Sequence, residues 1–81
     1  MIKCLMLKEA TNLIGELVEV DVELGEPDCR LVNPFQIDEN NELRRWPSFT
    51  DQRTLMLQSD SILTIVDPNE GLLNQYKEII S

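Results

Sequence analysis

Between Ile14 and Leu24 the side chains alternate, and that alternation limits what the chain can become. Ile14, Val18, Val20, Val22 and Leu24 share one parity, while Glu19, Asp21 and Glu23 take the other. A period of two belongs to an extended strand, so this stretch reads as a half-buried strand with a core face and a wet, acidic face. Leu17 is out of phase, on the acidic parity. Gly15 just before it predicts a bend or bulge that lets Leu17 and Val20 both turn inward.

A single strand needs partners, and the flanking sequence supplies them. Ile2, Cys4 and Met6 alternate with Lys3, Leu5 and Leu7, a short strand with two largely apolar faces. Residues 25–28, Gly-Glu-Pro-Asp, are turn chemistry. Residues 29–37 resume a strand, in which Pro34 argues for an edge, a bulge or an early end. Residues 38–42 form a polar loop, and 43–53 mix aromatics and arginines around Pro47 with no clear period. Residues 54–58 and 61–67 read as two more strands, separated by the polar break Gln58-Ser59-Asp60-Ser61.

The C-terminal stretch changes character. Asp67 suits an N-cap, Pro68 the first helical position, and Glu70 completes a capping-box spacing. Leu72, Leu73, Tyr76, Ile79 and Ile80 fall on one helical stripe. So short a helix is marginal alone and must pack on something, the natural host being an open end of the β-structure.

The expected fold is therefore mostly β: a small, strongly bent five-stranded barrel with one C-terminal helix. An 81-residue chain has room for one domain, divided here into a barrel over 1–66 and a capping helix over 67–81. A barrel removes the free edges that so small a sheet would expose.

A core this small supplies little net stability. Cys4 and Cys29 allow at most one disulfide and fit no zinc spacing, which leaves self-association as the open compensation. The absence of histidine removes the commonest metal ligand and general base. There is no glycine-rich phosphate loop, and Ser48, Ser59 and Ser61 have no evident base. The expectation is a protein that is not an enzyme and needs no metal or cofactor. The net charge of −8 gives no general attraction to nucleic acid. The apolar run at the N-terminus is too short for a signal peptide or membrane span. The protein reads as soluble and cytoplasmic, with both cysteines as buried free thiols.

Residues 7–21, LKEATNLIGELVEVD, place Leu7, Lys8, Gly15, Leu17, Val20 and Asp21 in an order and spacing that resembles the first signature of the Sm-like family. Leu57, Asp60, Ile62 and Ile65 resemble the second. The likeness is to the small phage-encoded members of the family rather than the spliceosomal ones, and it spans residues 2–66. The chain departs from the pattern in five places, one being the turn after Leu7-Lys8, where Ala10 or Thr11 fills the place of the family's glycine. It carries its helix at the C-terminal end. The loop after Asp21 is longer. Arg30 stands where the family has asparagine, and Gln58-Ser59 stand where it has Arg-Gly.

The resemblance implies a bent barrel that closes into a homo-oligomeric ring of about five to seven subunits. Neighbours would pair through strands 55–58 and 61–66. It also implies that single-stranded RNA meets the pore at Asp21, Arg30, Gln58 and Ser59. Gln58 can hydrogen-bond a base edge but cannot stack on it or neutralise phosphate as a guanidinium does. Read without the family, Gln58 and Ser59 are an ordinary hairpin turn, and Glu19, Asp21 and Glu23 a solvated acidic face. A second candidate patch is Arg44, Arg45, Trp46 and Arg53, which could stack and pair with single-stranded nucleic acid. Residues 9–42 hold ten acidic side chains and only Arg30 as a base, so the same patch suits the acidic face of a neighbouring subunit better. Two functions follow: RNA binding or support of RNA metabolism through the pore, or a ring scaffold for protein–protein interaction with RNA binding lost.

Overall fold

The computed structural model describes residues 1–20 and 27–81. Six strands and a helix succeed one another: β1 (Ile2–Leu7), β2 (Asn12–Glu19), β3 (Cys29–Ile37), β4 (Leu43–Arg45), β5 (Thr54–Leu57), β6 (Ile62–Val66) and α1 (Glu70–Ile80). The protein is mostly β with one C-terminal helix. Among the described residues there are six strands rather than the expected five, the addition being β4 in the arginine-rich stretch.

All pairings are antiparallel. The sheet runs β4-β3-β2-β1-β6, with β5 also on β3. The two short strands share the edge of β3 that faces away from β2. β5 pairs with Cys29–Val32, and β4 with Phe35–Ile37. β5 and β6 therefore lie at opposite ends of the sheet, yet Gln58 and a 3₁₀ turn over Ser59–Ser61 are all that joins them. Four strand spacings in a flat sheet span about 19 Å. A 3₁₀ turn rises only about 2 Å per residue and cannot bridge that distance. The sheet must curl. It does so without closing, because β5 and β6 do not pair with each other, and in this the expected closed barrel is corrected.

The bend has a local cause. Pairing between β2 and β3 steps from Ile14↔Phe35 to Glu16↔Val32, so Gly15 alone opposes Asn33 and Pro34. The extra residue thus belongs to β3. Asn33 takes a left-handed backbone, φ 52°, which asparagine tolerates. Pro34 sits where no ladder donor is required. A Cβ on Gly15 would lie 2.8 Å from Leu31 Cδ1 and 3.1 Å from the Val32 carbonyl oxygen. Only glycine allows the strands to approach this closely. Past the bulge Leu17 packs toward the core and Val20 is half-buried. Val18, which parity placed inside, is 36% exposed. Asp21, Val22, Glu23 and Leu24 lie outside the described residues.

Two apolar clusters form on the two faces of the sheet. Leu5, Leu7, Leu13 and Leu31 make one, joined by Leu17, Trp46, Leu57 and Ile62. Cys4, Ile14 and Tyr76 make the other, with Ile2, Phe35, Ile37 and Leu43 around them. β1 needs two apolar faces because it feeds both. Helix α1 covers the second cluster through Tyr76, whose ring meets Phe35 edge-on at 6.0 Å. The helix begins at Glu70, not at 67. Its N-cap is Asn69, whose side-chain oxygen accepts the Leu72 N–H at 2.8 Å. Asp67, the expected cap, is bonded instead to Lys3 of β1.

Candidate functional site

β5 ends at Leu57, and Gln58 continues in extended backbone, φ −85° and ψ 134°. The chain then tightens. Ser61 returns both its N–H and its hydroxyl to the Gln58 carbonyl oxygen, at 3.0 and 2.7 Å. The Ser61 carbonyl oxygen accepts the Lys8 N–H at 3.0 Å, which ties the turn to the end of β1. On the other side Ser59 donates its N–H to Asp28 Oδ1 and its hydroxyl to Asp28 Oδ2, both at 2.8 Å. The hydroxyl bond first and the N–H bond second hold the Asp28 carboxyl below its ordinary value. Asp28 is anchored in turn: its carbonyl oxygen accepts the Val20 N–H at 3.1 Å.

Cys29 follows Asp28 and is buried. Burial, then the neighbouring Asp28 charge, pushes its thiol up. Burial does the same to Cys4, with Asp67 adding to it. Both cysteines are free, and the upward shift disfavours the reactive thiolate at each.

An open cleft of about 370 Å³ lies beside the turn, lined by Glu19, Asp28, Cys29 and Ser59 on one side and Ile62–Ile65 of β6 on the other. Among its described lining residues there are two carboxylates and no cation, so the cleft disfavours phosphate. Ser59 spends both its N–H and its hydroxyl on the Asp28 carboxylate. A carboxylate held below its ordinary value is a weaker proton acceptor, and the pair acts as a clamp. The outer edges of β5 and β6 are a separate feature. β6 exposes Leu63, Ile65 and Val66, and β5 exposes Met56.

The four pore candidates fall in different places. Asp21 lies outside the described residues. Arg30 is exposed on β3, between Val18 of β2 and Met56 of β5 in register. Gln58 and Ser59 are neighbours in the turn. The residue that Ser59 engages, Asp28, was not singled out from the sequence, where it reads only as the end of a turn.

The second patch is dispersed. Arg44 and Arg45 are successive strand residues and point to opposite faces. Arg44 Nε donates to Asp38 Oδ2 at 3.0 Å, and Arg45 lies 3.5 Å from Asp51. Arg53 Nε donates to the Asp51 carbonyl oxygen. Trp46 packs on the Leu5–Leu31 cluster, so its ring is committed to the core. Asp38 is a structural hub: it also accepts the N–H groups of Asn40 and Glu42, and its carboxyl is held low by the Glu42 bond above all. Among the described residues no helix is long and apolar enough to cross a membrane.

The model of a family of unknown function, DUF6561, matches residues 1–81. No curated protein matches the chain.

Proposed function

The chain belongs to DUF6561, a family of unknown function, and we propose that it is an Sm-like, homo-oligomeric ring protein that serves as a scaffold for protein–protein interaction rather than as an enzyme. One observation carries the reading. Among the described residues β5 and β6 both end the sheet with no strand on their outer edge, and β6 leaves Leu63, Ile65 and Val66 in water, 63, 42 and 47% exposed. An apolar free edge of this kind invites strand addition and aggregation. Pairing β5 of one copy with β6 of the next satisfies both edges at once. The two strands suit each other, at four and five residues. Such a contact joins two different surfaces, so it closes into a ring when the rotation per copy divides a full turn.

The scaffold role is favoured over RNA binding by the fate of the cationic and aromatic side chains. Arg44 and Arg45 face carboxylates, Trp46 is packed on the core, and the cleft beside the turn carries Glu19 and Asp28. RNA binding is the second reading, supported by the exposure of Arg30 on β3.

Light scattering after size exclusion tests the ring. The expected mass is about five to seven times that of the 9.3 kDa chain, and a stable monomer at micromolar concentration would end the proposal. Titration with labelled U-rich and A-rich oligonucleotides tests the role. No binding at low salt is expected. Binding that survives physiological salt and is lost in Arg30→Ala would replace the scaffold with the RNA reading.

A further inference from the structure

The corner between β5 and β6 carries both strands on which the ring reading depends. Within it the two bonds from Ser61 to Gln58 shape the turn but do not aim it. Its direction is set by what ties it to the rest of the sheet. On one side the Lys8 N–H holds the Ser61 carbonyl oxygen at 3.0 Å. On the other, both carboxylate oxygens of Asp28 are taken by Ser59 at 2.8 Å, across 31 residues of sequence. A carboxylate that receives an N–H and an O–H from the same residue is fixed in rotation as well as in position, and such charge-assisted bonds are the stronger kind. Asp28 hangs from paired backbone at the end of β3 through its bond from Val20.

The strands on either side of this strut have ladders of their own. β5 is held residue by residue on Cys29–Val32, and β6 on β1 from Cys4 to Leu7. Neither Asp28 nor Ser59 belongs to the buried core. Resting on the ring reading above, we propose that Asp28 and Ser59 form a positioning device that sets the angle between β5 and β6 so that the edge of one copy meets the edge of the next. The turn takes the place of the Arg-Gly pair that the Sm-like resemblance leads one to expect, and Ser59 in it supplies a contact to the same chain.

The experiment compares the whole chain with Ser59→Ala, Asp28→Asn and Ser59→Thr by light scattering over a dilution series, with far-ultraviolet circular dichroism alongside. Ser59→Ala and Asp28→Asn are expected to raise the concentration at which the assembly half-forms by about tenfold or more, given the strength of hydrogen bonds to charged groups. Their strand spectrum stays unchanged, and Ser59→Thr, which keeps the hydroxyl, assembles as the parent does. Assembly of both disruptive variants at the parent's concentration overturns the inference and leaves the ring reading standing. Loss of the strand spectrum in Ser59→Ala also overturns it, because the pair would then serve the fold. A parent chain that stays monomeric overturns both.

Discussion

The Tyr76 hydroxyl donates to the carbonyl oxygen of Asn33 at 2.9 Å and lies 3.2 Å from that of Val32. Helix α1 is thus fastened at the place where the bulge interrupts the ladder between β2 and β3. The two features satisfy each other: the bulge turns backbone acceptors away from the sheet, and the tyrosine brings a donor to them. Burial raises the phenol's pKa, which keeps the hydroxyl protonated for this role.

Tyr76→Phe removes the donor and keeps the ring. It should lower stability by about 1–2 kcal/mol, the cost of a hydrogen bond lost at a buried site. Tyr76→Ala should cost about 3–5 kcal/mol, because it also empties a side chain only 1% exposed that touches Phe35 edge-on. Urea unfolding at one fixed protein concentration measures both, since assembly would make stability depend on concentration. A Tyr76→Phe variant as stable as the parent would separate the helix from the bulge.

Gly15→Ala tests the other side of the bulge. The new methyl would press on Leu31, which is fully buried in the Leu5–Leu13 cluster. The expected cost is about 1–3 kcal/mol, typical of overpacking. Leu31→Ala withdraws both side-chain atoms that would collide, Cδ1 at 2.8 Å and Cγ at 3.0 Å, so the double variant should lose less than the sum of the singles. Additive losses would mean that the contact with the Val32 carbonyl, at 3.1 Å, dominates instead.

Much of this fold is legible in the sequence, and the parts that are not share a cause. β1 and β3 keep their expected bounds because parity and turn residues mark both ends. Gly15 with Pro34 announced the bulge, but nothing local says which strand holds the extra residue, so Val18 was assigned inward. β4 is three residues long and exists because the 38–42 hairpin delivers it to the free edge of β3. No pattern within Leu43–Arg45 encodes that. The candidate site was half legible. Ser59 stood out from the polar break, but its partner Asp28 is remote in sequence and becomes visible only once β3 and the turn are side by side.

The helix cap is a case where two residues of similar chemistry compete. Asp67 and Asn69 both precede the helical stripe, but only Asn69 accepts an N–H of the first turn. Asn69→Ala should therefore cost about 1 kcal/mol. Asp67→Ala removes a surface pair with Lys3, for which 0–1 kcal/mol is typical. Thermal unfolding of the two variants orders them, and a larger loss for Asp67→Ala would restore it as the cap.

Acid should act through Asp28 and Asp38. Both carboxyls are held below the ordinary value of 3.8 by hydrogen bonds that the unfolded chain lacks. Between the lowered and the ordinary value the unfolded chain binds more protons, so stability rises with pH there. The contribution is complete above pH 3.8 and is lost as pH falls through the folded values. Urea midpoints from neutral to strongly acid pH should fall, and Asp28→Asn with Asp38→Asn should flatten that fall. An unchanged slope in the double variant would assign the acid sensitivity to other carboxylates.

The free edge of β6 yields the most direct test of assembly. Leu63 and Ile65 are exposed in the single chain, so a charge at either position costs the monomer little, whereas in a strand-paired assembly it would be brought against a neighbouring sheet edge. Edge lysines are a device by which natural sheets discourage such pairing. Leu63→Lys combined with Ile65→Lys should leave the strand spectrum intact, because β6 keeps its ladder to Cys4–Leu7 on the other side. The same change should shift the chain to monomer in light scattering. If the doubly charged chain assembles as well as the parent, β6 is not the joining edge, and the contact between copies must be sought on the helix, where Ile79 and Ile80 are 44 and 41% exposed.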